Sequence, residues 1–408
     1  MNILLINHYA GSPAYGMEFR PYHMAKEWVK AGHKVLIVGG SHSHLRKQQP
    51  TPGAETIDGI QYYWIKLNSY KGNGIGRILS MWFFVSKLWC NYRTYIGAFK
   101  PDIVIASSTY PIDIYPARKI AKHYGAKLIY EVHDLWPLSP IELGGYSPKH
   151  PFIKVMQRAE DYCYKHVDGV VCMLPKAEEH MKEHGLADGK FFYVPNGIVL
   201  DDWQNPMSIP QEHDSTISRL KNEGKYLVGF AGAHGIANSL YAVIDAVSQL
   251  KEQSVALVLV GTGQEKENLI KYVNDKHFDN IYFLKPVNKL AIPSLLGRMD
   301  LLYIGLQKQS LFRFGISPNK MFDYMMAGKP IVQAIDAGNN LVEEANCGLY
   351  AEPDNVKAIK EAILKIKSLS KEDQEKLGEN GHAFVLKNHS YQVLSENFIN
   401  AMKILMTR

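Results

Sequence analysis

The chain has 408 residues, of which 46% are hydrophobic and 21% charged, a composition that excludes a disordered or fibrous protein and predicts two domains of about 200 residues. Its 46 Lys and Arg against 40 Asp and Glu give a net charge of +6, which suits an anionic ligand or a membrane surface without requiring nucleic acid. The four cysteines lack Cys-x-x-Cys spacing, and the sequence shows neither a signal-peptide pattern nor an apolar run long enough for a membrane span, so we expect a reduced, cytoplasmic protein.

Short β-branched and aromatic segments recur along the first half, with helical stretches between them. They are "ILLIN" at 3–7, "VLIVGG" at 35–40, "DIVIAS" at 102–107, "KLIYEV" at 127–132 and "GVVCML" at 169–174. Strands that alternate with helices indicate βαβ units and a parallel, doubly wound sheet. Residues 201–222 contain two prolines and no sustained apolar period, which predicts a connection between two domains.

The alternation resumes in the second half. Its strands are predicted at 226–232, 255–261, 280–284, 300–306 and 330–335. We therefore predict an α/β fold with two Rossmann-like, doubly wound domains, 1–205 and 206–385, that face each other across a cleft. Residues 354–408 indicate two or three helices, and we expect the last, 386–408, to return to the N-terminal domain. Ligands of open parallel sheets bind beyond the carboxyl ends of the strands, so the functional residues should lie in the loops there.

The stretch "SPNKMFDYMMAGKP" at 317–330 predicts a short amphipathic helix over 318–327, with Ser317 as its N-cap. The free amides of its first turn, together with Lys320, would bind a phosphate. Asp323 lies about 9 Å further along the helix axis. A carboxylate there would accept hydrogen bonds from a ribose diol. The alternative is a solvated helix face with no ligand.

Two more strands of the second half end in turns that contain glycine. "AHGIANS" leads into a helix that Asn238 or Ser239 would cap, and "TGQEKENL" places Gly261, Gly263 and Lys266 at the start of another helix. The glycines would let a ligand approach the backbone, and the lysine adds positive charge. Three such helix starts in one domain favour a nucleotide diphosphate, although the pattern is neither a P-loop nor a dinucleotide fingerprint.

The first half offers two loops of its own. In "HYAGSPAYGMEFRP" at 8–21, small residues would let a ligand approach the backbone, and Glu18 and Arg20 begin the next helix. In "YEVHDLWP", His133 and Asp134 follow a strand, and a histidine there can donate to a sugar hydroxyl or to a departing phosphate. The alternative is that Asp134 caps a turn and that His133 is an ordinary loop residue.

We expect no metal, because no Asp-x-Asp occurs and His42 and His44 lie on a loop.

A separate feature is the segment 76–100, which mixes Trp and Phe with Arg and Lys. This pattern suits a helix at a lipid interface. The alternative is a helix packed on its own sheet, since aromatic stripes are usually part of a core.

The motifs quoted above resemble those of the GT-B-fold glycosyltransferase family 4, and within it the bacterial capsule and O-antigen enzymes. "SPNK-x-FDYM-x-AGKP" is the most specific of them, and "AGHKV", "VPNG" and "ANCGLY" extend the resemblance over nearly the whole chain. The resemblance implies a metal-independent transferase without a cofactor, which moves a sugar with retention of configuration. It implies a UDP-linked, often N-acetylated or deoxy amino sugar as donor and a polyprenyl-diphosphate-linked saccharide as acceptor, at the inner face of the plasma membrane.

The resemblance also implies residue roles. By position, Asp323 would bind the ribose, Lys320 and the amides of 315–319 the diphosphate, and His133 the sugar, with uracil against 284–290. Around the nucleotide sugar we also expect Gly315, Arg313, Ser317, Pro318, Asn319, His234, Gly235, Gly263, Lys266 and Pro286. Around the acceptor we expect Gly11, Ser12, Gly16, Glu18, Arg20 and Asp134. His133, Lys320 and Glu18 are the residues expected to act in the transfer.

The chain departs from the family pattern at Gly315, where the first acid of a paired-glutamate motif would fall. Its contact to the donor sugar must come from elsewhere or be absent, and Arg313 is one alternative. Without a carboxylate nucleophile, a retaining mechanism favours front-face attack, in which the departing phosphate helps to deprotonate the acceptor. Two other functions fit the same architecture: a nucleotide-sugar 2-epimerase and a non-catalytic nucleotide-sugar-binding protein.

Overall fold

The structure is a computed structural model. It describes residues 1–16, 19–72 and 74–408. The chain divides into two compact units: the first is Met1–Asn196 with Tyr391–Arg408, and the second is Gly197–Ser390. Each unit contains one sheet with helices around it. The predicted α/β class with two doubly wound sheets is confirmed.

The boundaries of the two units along the chain differ from those predicted. The first boundary follows Asn196 instead of residue 205, and the return to the first unit begins at Tyr391 instead of residue 386. The N–H of Ile198 donates to the carbonyl of His389 at 2.8 Å, and the Ile198 side chain is buried in the core of the second unit. Both segments therefore belong to the second unit, because their backbones and side chains pair there.

The first unit has an eight-stranded sheet of order β3-β4-β2-β1-β5-β6-β7-β8, parallel except between β3 and β4. Its strands are β1 Asn2–Ile6, β2 Lys34–Gly40, β3 Gly53–Ile57, β4 Ile60–Ile65, β5 Ile103–Ala106, β6 Lys127–Val132, β7 Gly169–Cys172 and β8 Phe191–Tyr193. The five predicted strands are present. The predicted strands do not include β3, β4 or β8. The first of these exposes alternate side chains at the sheet edge, exposed Gln61 interrupts the apolar run of β4, and β8 has only three residues.

Helices of the first unit surround this sheet. They are α1 Phe19–Lys30, α2 Ile75–Ile96, α3 Ile114–Tyr124, α4 Leu138–Glu142, α5 Pro151–His166 and α6 Glu178–Glu183, with the last helix of the chain, Tyr391–Thr407. That last helix packs against α1, where the ring of Trp28 meets the ring of Phe398 edge-on at 5.1 Å. A β-carbon on Gly169 of β7 would lie 2.6 Å from Leu405, so the sheet and the last helix are in close contact.

The second unit has a fully parallel six-stranded sheet of order β11-β10-β9-β12-β13-β14. Its strands are β9 Tyr226–Ala231, β10 Val255–Val260, β11 Ile281–Leu284, β12 Leu301–Gly305, β13 Ile331–Ala334 and β14 Gly348–Tyr350. Its helices are α7 Asp201–Gln204, α8 Gln211–Asn222, α9 Leu240–Ser248, α10 Lys266–Asp275, α11 Ile292–Gly297, α12 Asn319–Met326, α13 Leu341–Glu344, α14 Val356–Lys367 and α15 Lys371–His389, and the helix Tyr391–Thr407 is α16.

The prediction that 201–222 is only an interdomain connection is wrong. The segment contains α7 and α8 and lies inside the second unit. Ile217 and Leu220 of α8 are buried in the core of that unit, although the helix as a whole is polar. A helix with so narrow an apolar face gives little periodic signal, and only its packing reveals it. Among the described residues, no helix is both long and apolar enough to cross a bilayer.

Candidate functional site

The strand order of each sheet reverses at one point. In the second unit β9 lies between β10 and β12, and in the first unit β1 lies between β2 and β5. Loops at the carboxyl ends of strands diverge at such a point and leave room for a ligand. Most of the predicted site residues follow these strands.

Helix α12 follows β12 with its apolar face inward. Its buried residues are Met321, Phe322, Tyr324 and Met325. The predicted range of 318–327 is one residue too long at each end. The N-cap is Pro318, because the helix begins at Asn319 and half-buried Ser317 lies two residues before it. Proline has no side-chain acceptor. The N-cap residue therefore makes no side-chain hydrogen bond to the first amides of α12, which begin at exposed Asn319.

Lys320 lies in the first turn of α12 and turns toward the end of β9. Its Nζ donates to Oδ1 of Asn238 at 2.9 Å and lies 4.0 Å from the centre of the Phe230 ring. A β-carbon on Gly232 would lie 2.7 Å from Cε of Lys320, so this glycine makes room for the lysine. Burial lowers the pKa of Lys320 to about 7. An anion bound here would restore the charge that burial disfavours.

His234 lies on the loop after β9. Its side chain is fully buried, and neither ring nitrogen has a hydrogen-bond partner among the described residues. Burial, together with Lys266 and Lys320, lowers the pKa of His234 to about 4, so the imidazole is neutral at pH 7. A buried ring without partners is costly unless a ligand satisfies it. His234 and the half-buried Gly235 beside it therefore remain in the predicted nucleotide site.

The glycines after β10 serve a different purpose from the one predicted. A β-carbon on Gly261 would lie 1.9 Å from the carbonyl oxygen of Gly232, and one on Gly263 would lie 2.3 Å from that of His234. These glycines therefore admit the neighbouring loop, not a ligand. Nζ of Lys266 donates to the carbonyls of Gly261 and Leu284, at 2.7 and 2.8 Å. The structure thus contradicts a phosphate-binding role for Lys266, which instead joins two strand ends.

The loop before α12 is held by Asn339. Its Oδ1 accepts from the N–H of Ile316 at 2.8 Å, and its amide donates to the Ile316 carbonyl at 3.1 Å. Gly315 has φ of 99°, a conformation that favours glycine, so the backbone itself disfavours an acid where the family pattern has one. Arg313, the alternative contact to the donor sugar, is exposed and donates from Nη1 to the Ser310 carbonyl at 2.7 Å.

Asp323 is half-buried on α12, about one and a half turns from Pro318. The Trp203 side chain of α7 hydrogen-bonds to its carboxylate, and Lys289 and Asp202, which form an ion pair at 2.6 Å, lie nearby. Burial raises the pKa of Asp323 to about 6; Lys289 and the Trp203 bond lower it and Asp202 raises it. Lys289 belongs to the segment predicted to face uracil, in which Pro286 is exposed. Sequence reasoning missed both α7 residues, which it placed in a linker.

In the first unit, His133 is part of a buried group that we call the Glu131 cluster (Arg20, Ser107, Glu131 and His133). Ser107 donates to Oε2 of Glu131 at 2.6 Å, and Nε2 of His133 lies 2.9 Å from the Ser107 oxygen and 3.4 Å from Oε2. Burial would raise the pKa of Glu131, but His133, Arg20 and Ser107 outweigh it and lower that pKa to about 2. An ionised carboxylate therefore holds the His133 ring.

The structure contradicts the prediction that Arg20 contacts the acceptor. Its side chain is 5% exposed, and Nε donates to Oε1 of Glu131 at 3.0 Å. Its other nitrogens donate to the carbonyls of Pro195 and Val194, at 2.5 and 2.8 Å. Arg20 thus joins α1 to the "VPNG" turn and compensates the charge of Glu131. Through Glu131, it helps to hold the His133 ring in place.

The loop after β1 keeps its predicted small residues. The N–H of Gly16 donates to the Ser12 carbonyl at 2.9 Å, and Gly16 has φ of 75°, which favours glycine. The Ser12 hydroxyl is buried without a hydrogen-bond partner among the described residues, so it can serve a ligand. Gly11 accepts from a tyrosine hydroxyl at 3.2 Å through its carbonyl. Glu18, predicted for transfer and acceptor binding, lies outside the described residues.

Of two carboxylates near His133, one differs from expectation and the other was not predicted. Asp134 accepts from the Ser139 hydroxyl at 2.5 Å, which is the turn-capping alternative. Asp113 is fully buried, and only one of its oxygens has a partner, the N–H of Ser108 at 3.1 Å, among the described residues. Burial raises the pKa of Asp113 to about 7, against opposing effects of Ser108 and His133. Sequence reasoning missed Asp113, because a single acid in "PIDIYP" carries no motif.

Two doubly wound α/β units are the architecture of the GT-B class of enzymes. Residues 15–202 match the family model described as Glycosyltransferase Family 4, and residues 225–368 match the one described as Glycosyl transferases group 1. Together the two models span most of the chain. The chain belongs to the GT-B glycosyltransferases of family 4.

Known proteins with similar sequences are bacterial. The probable glycosyltransferase WbjE of Pseudomonas aeruginosa is 20% identical over 346 residues, which cover 83% of this chain and 82% of WbjE. The putative colanic acid biosynthesis glycosyl transferase WcaI of Escherichia coli K12 is 24% identical over 281 residues, which cover 65% of this chain and 67% of WcaI.

Solved structures share the fold over the full length. The sucrose-phosphate synthase of Thermosynechococcus elongatus superposes with a TM-score of 0.72 at 14% identity. The match covers 100% of this chain and 99% of the synthase chain. Anabaena Alr3699/HepE in complex with UDP-glucose superposes with a TM-score of 0.65, also at 14% identity. The match covers 99% of this chain and 100% of the HepE chain. At this identity the likeness concerns the fold alone.

Proposed function

We propose that the protein is a retaining, metal-independent glycosyltransferase of bacterial surface-polysaccharide synthesis, which transfers a sugar, N-acetylated or deoxy amino, from UDP to a polyprenyl-diphosphate-linked saccharide. The observation that carries the proposal is the arrangement of α12. A half-buried lysine with a lowered pKa lies in its first turn, and a half-buried carboxylate lies three residues further along the helix. These are the contacts that a diphosphate and a ribose require. Alr3699/HepE, of similar fold, binds UDP-glucose, and WcaI is named for colanic acid biosynthesis.

In the proposed reaction, the bond between C1 of the sugar and the β-phosphate oxygen breaks. The acceptor hydroxyl oxygen bonds to C1 on the same face, and its proton leaves with UDP. Lys320 and the first amides of α12 would stabilise the charge that develops on the departing phosphate. His133, held by Glu131, would donate a hydrogen bond to the sugar. Gly315 has no side chain, so the second unit provides no carboxylate nucleophile at that position.

The experiment that tests the proposed function supplies labelled UDP-sugars and a bacterial membrane extract as the source of acceptor. A transferase releases UDP and moves the label into the lipid fraction. An epimerase changes the sugar of the UDP-sugar without labelling lipid, and a binding protein does neither. Failure to release UDP from every nucleotide sugar tried would contradict a transferase.

We expect Asp323→Ala to weaken UDP binding by about 1.5–3 kcal/mol, about 10- to 150-fold, because charged hydrogen bonds to the ribose diol are lost. Titration calorimetry at pH 7.5 measures this, above the pKa of about 6 of the carboxyl group. In the wild type, acidification through pH 6 should weaken binding, since the protonated group accepts less well.

The control for this prediction is chemical. The analogue 2′,3′-dideoxy-UDP should bind the wild type about as weakly as UDP binds Asp323→Ala, and it should lose nothing further in the variant. The exposed aspartate Asp275, changed to alanine, should leave UDP affinity unchanged. If Asp323→Ala binds UDP like the wild type, Asp323 does not contact the ribose.

We further propose that α2 contacts an anionic bilayer surface. One face of α2 is buried in the first unit, which bears out the packing alternative in part: Phe84 and Leu88 are fully buried. The other face exposes Trp82 at 41% and Phe83 at 49%, together with Ile75, Leu79 and Trp89. Exposed apolar side chains on a chain of net charge +6 fit the interface of an anionic membrane.

We expect the double variant Trp82→Ser with Phe83→Ser to bind vesicles of anionic phospholipid at least about tenfold more weakly than the wild type, because each lost ring removes about 1.5–3 kcal/mol of apolar transfer. Co-sedimentation with vesicles measures the partition. Tyr241→Ser removes a similarly exposed ring from the second unit and should leave binding unchanged. Equal partition of wild type and double variant would exclude α2 as the contact.

A further inference from the structure

A group of metal-binding side chains lies where α5 and α6 pack together in the first unit. We call it the Glu160 cluster (Glu160, His180 and His184). Glu160 lies on α5, His180 on α6, and His184 is the C-cap of α6. One donor atom of each residue lies within 4.8 Å of those of the other two. The four-residue spacing places both imidazoles on one side of α6, and their ring centres are 4.6 Å apart.

The carboxylate of Glu160 is buried, with 1% of its side chain exposed. The Tyr164 hydroxyl donates to Oε1 at 3.0 Å, and Nε2 of Gln157 donates to Oε2 at 2.8 Å. Nε2 of His180 lies 3.4 Å from Oε1. Among the described residues, no lysine or arginine forms an ion pair with Glu160. A buried carboxylate without a permanent cation nearby is costly, and a bound cation would remove that cost.

The two histidines lie between this carboxylate and solvent. The side chain of His180 is 12% exposed and that of His184 is 28% exposed, so a small ion can reach both. Nδ1 of His184 lies 2.8 Å from Oδ1 of Asp161 and 3.0 Å from Nε2 of Gln157. Carboxylates that hydrogen-bond to metal-binding histidines orient the ring. Asp161 can take that role, or it can supply a fourth oxygen ligand.

We propose that the Glu160 cluster binds one divalent transition-metal ion, with Zn²⁺ as the best match. Two imidazoles and one carboxylate form a common zinc ligand set, at about 2.0–2.2 Å from the ion. Tetrahedral geometry at that distance separates the donor atoms by about 3.4 Å, so small side-chain rotations close the site from its present 4.8 Å. The ion would join α5 to α6 and stabilise the first unit. This inference is independent of the proposed sugar transfer.

The test uses the full chain without a histidine tag, dialysed against a chelator and titrated with Co²⁺ and then Zn²⁺. We expect one Co²⁺ per chain with the visible absorption of a four-coordinate site, displaced by Zn²⁺, and a higher unfolding temperature in the presence of Zn²⁺. His180→Gln and His184→Gln should each weaken Zn²⁺ binding by more than the about 10- to 100-fold that loss of an outer-shell partner costs.

His166→Gln is the matched control, because His166 lies exposed on the same helix as Glu160 and outside the cluster. It should bind metal like the wild type. Circular dichroism of the metal-free variants checks that they are folded. Asp161→Asn perturbs the contact with His184 and should weaken Zn²⁺ binding less than the histidine variants do. The proposal fails if the wild type binds no Co²⁺ or Zn²⁺, or if both histidine variants bind as tightly as His166→Gln.

Discussion

Lys320→Met is expected to lower kcat/KM for the UDP-sugar by about 10²- to 10³-fold, equivalent to about 2.7–4 kcal/mol of transition-state stabilisation. Methionine is of similar size and can pack near the Phe230 ring, over which Nζ of Lys320 lies, but it offers no charge to the departing diphosphate. The release of UDP under limiting donor measures the loss. Lys271→Met, at an exposed lysine of α10, should retain full activity.

The lowered pKa of Lys320 gives this prediction a second measurement. With a pKa of about 7 in the free protein, Lys320 is mostly neutral at pH 8, and a bound diphosphate would raise the pKa and recharge it. UDP binding at pH 8 should therefore take up close to one proton, and UDP affinity should fall as pH rises above 7. Calorimetry in buffers of different ionisation enthalpy measures the uptake. Full proton uptake by Lys320→Met would contradict the assignment.

Arg20→Met should destabilise the first unit by about 3–5 kcal/mol, because the ionised, buried carboxylate of Glu131 loses its arginine. The "VPNG" turn also loses two hydrogen bonds from the guanidinium group. The two units need not unfold together. Hydrogen exchange of the β6 amides therefore measures the effect, and the β9 and β10 amides of the second unit serve as an internal reference.

Two variants separate this buried pair from an ordinary loss of charge. Arg20→Met combined with Glu131→Met removes both charges and should restore most of the lost stability. Arg219→Met breaks an exposed pair with Glu223 and should leave the β6 amides unchanged. If Arg20→Met is as stable as the wild type, Arg20 does not compensate Glu131 as we infer.

The sequence was sufficient where the signal is local. Short apolar runs between helical stretches located ten strands. The spacing within "SPNKMFDYMMAGKP" located α12 to within one residue at each end. It also placed Lys320 and Asp323 on that helix in the order that a diphosphate and a ribose would need. Such features depend on backbone propensity and on the periodicity of neighbouring residues, which a single stretch of chain contains in full.

Other features depend on residues far apart in the chain. Asp323 contacts Trp203, which lies 120 positions earlier in a segment that the sequence presented as a linker. The sequence predicts that Arg20 binds the acceptor, but its guanidinium group donates to Glu131 and to the carbonyls of Val194 and Pro195. Gly261 and Gly263 admit the loop of His234, although their pattern suggested a ligand. The composition predicts none of these contacts, because each depends on how two distant segments pack.

The sequence by itself thus determined the fold class, the family and the helix proposed to bind the nucleotide, since these follow from periodicity and from motifs a few residues long. Only the tertiary structure decided which charges are buried and what compensates them. It showed the low pKa of Lys320 and the ion pair of Arg20 with Glu131. It also brought Glu160 within reach of two histidines about twenty residues later in the chain. Burial and electrostatic interactions are properties of the packed chain, and no local pattern encodes them.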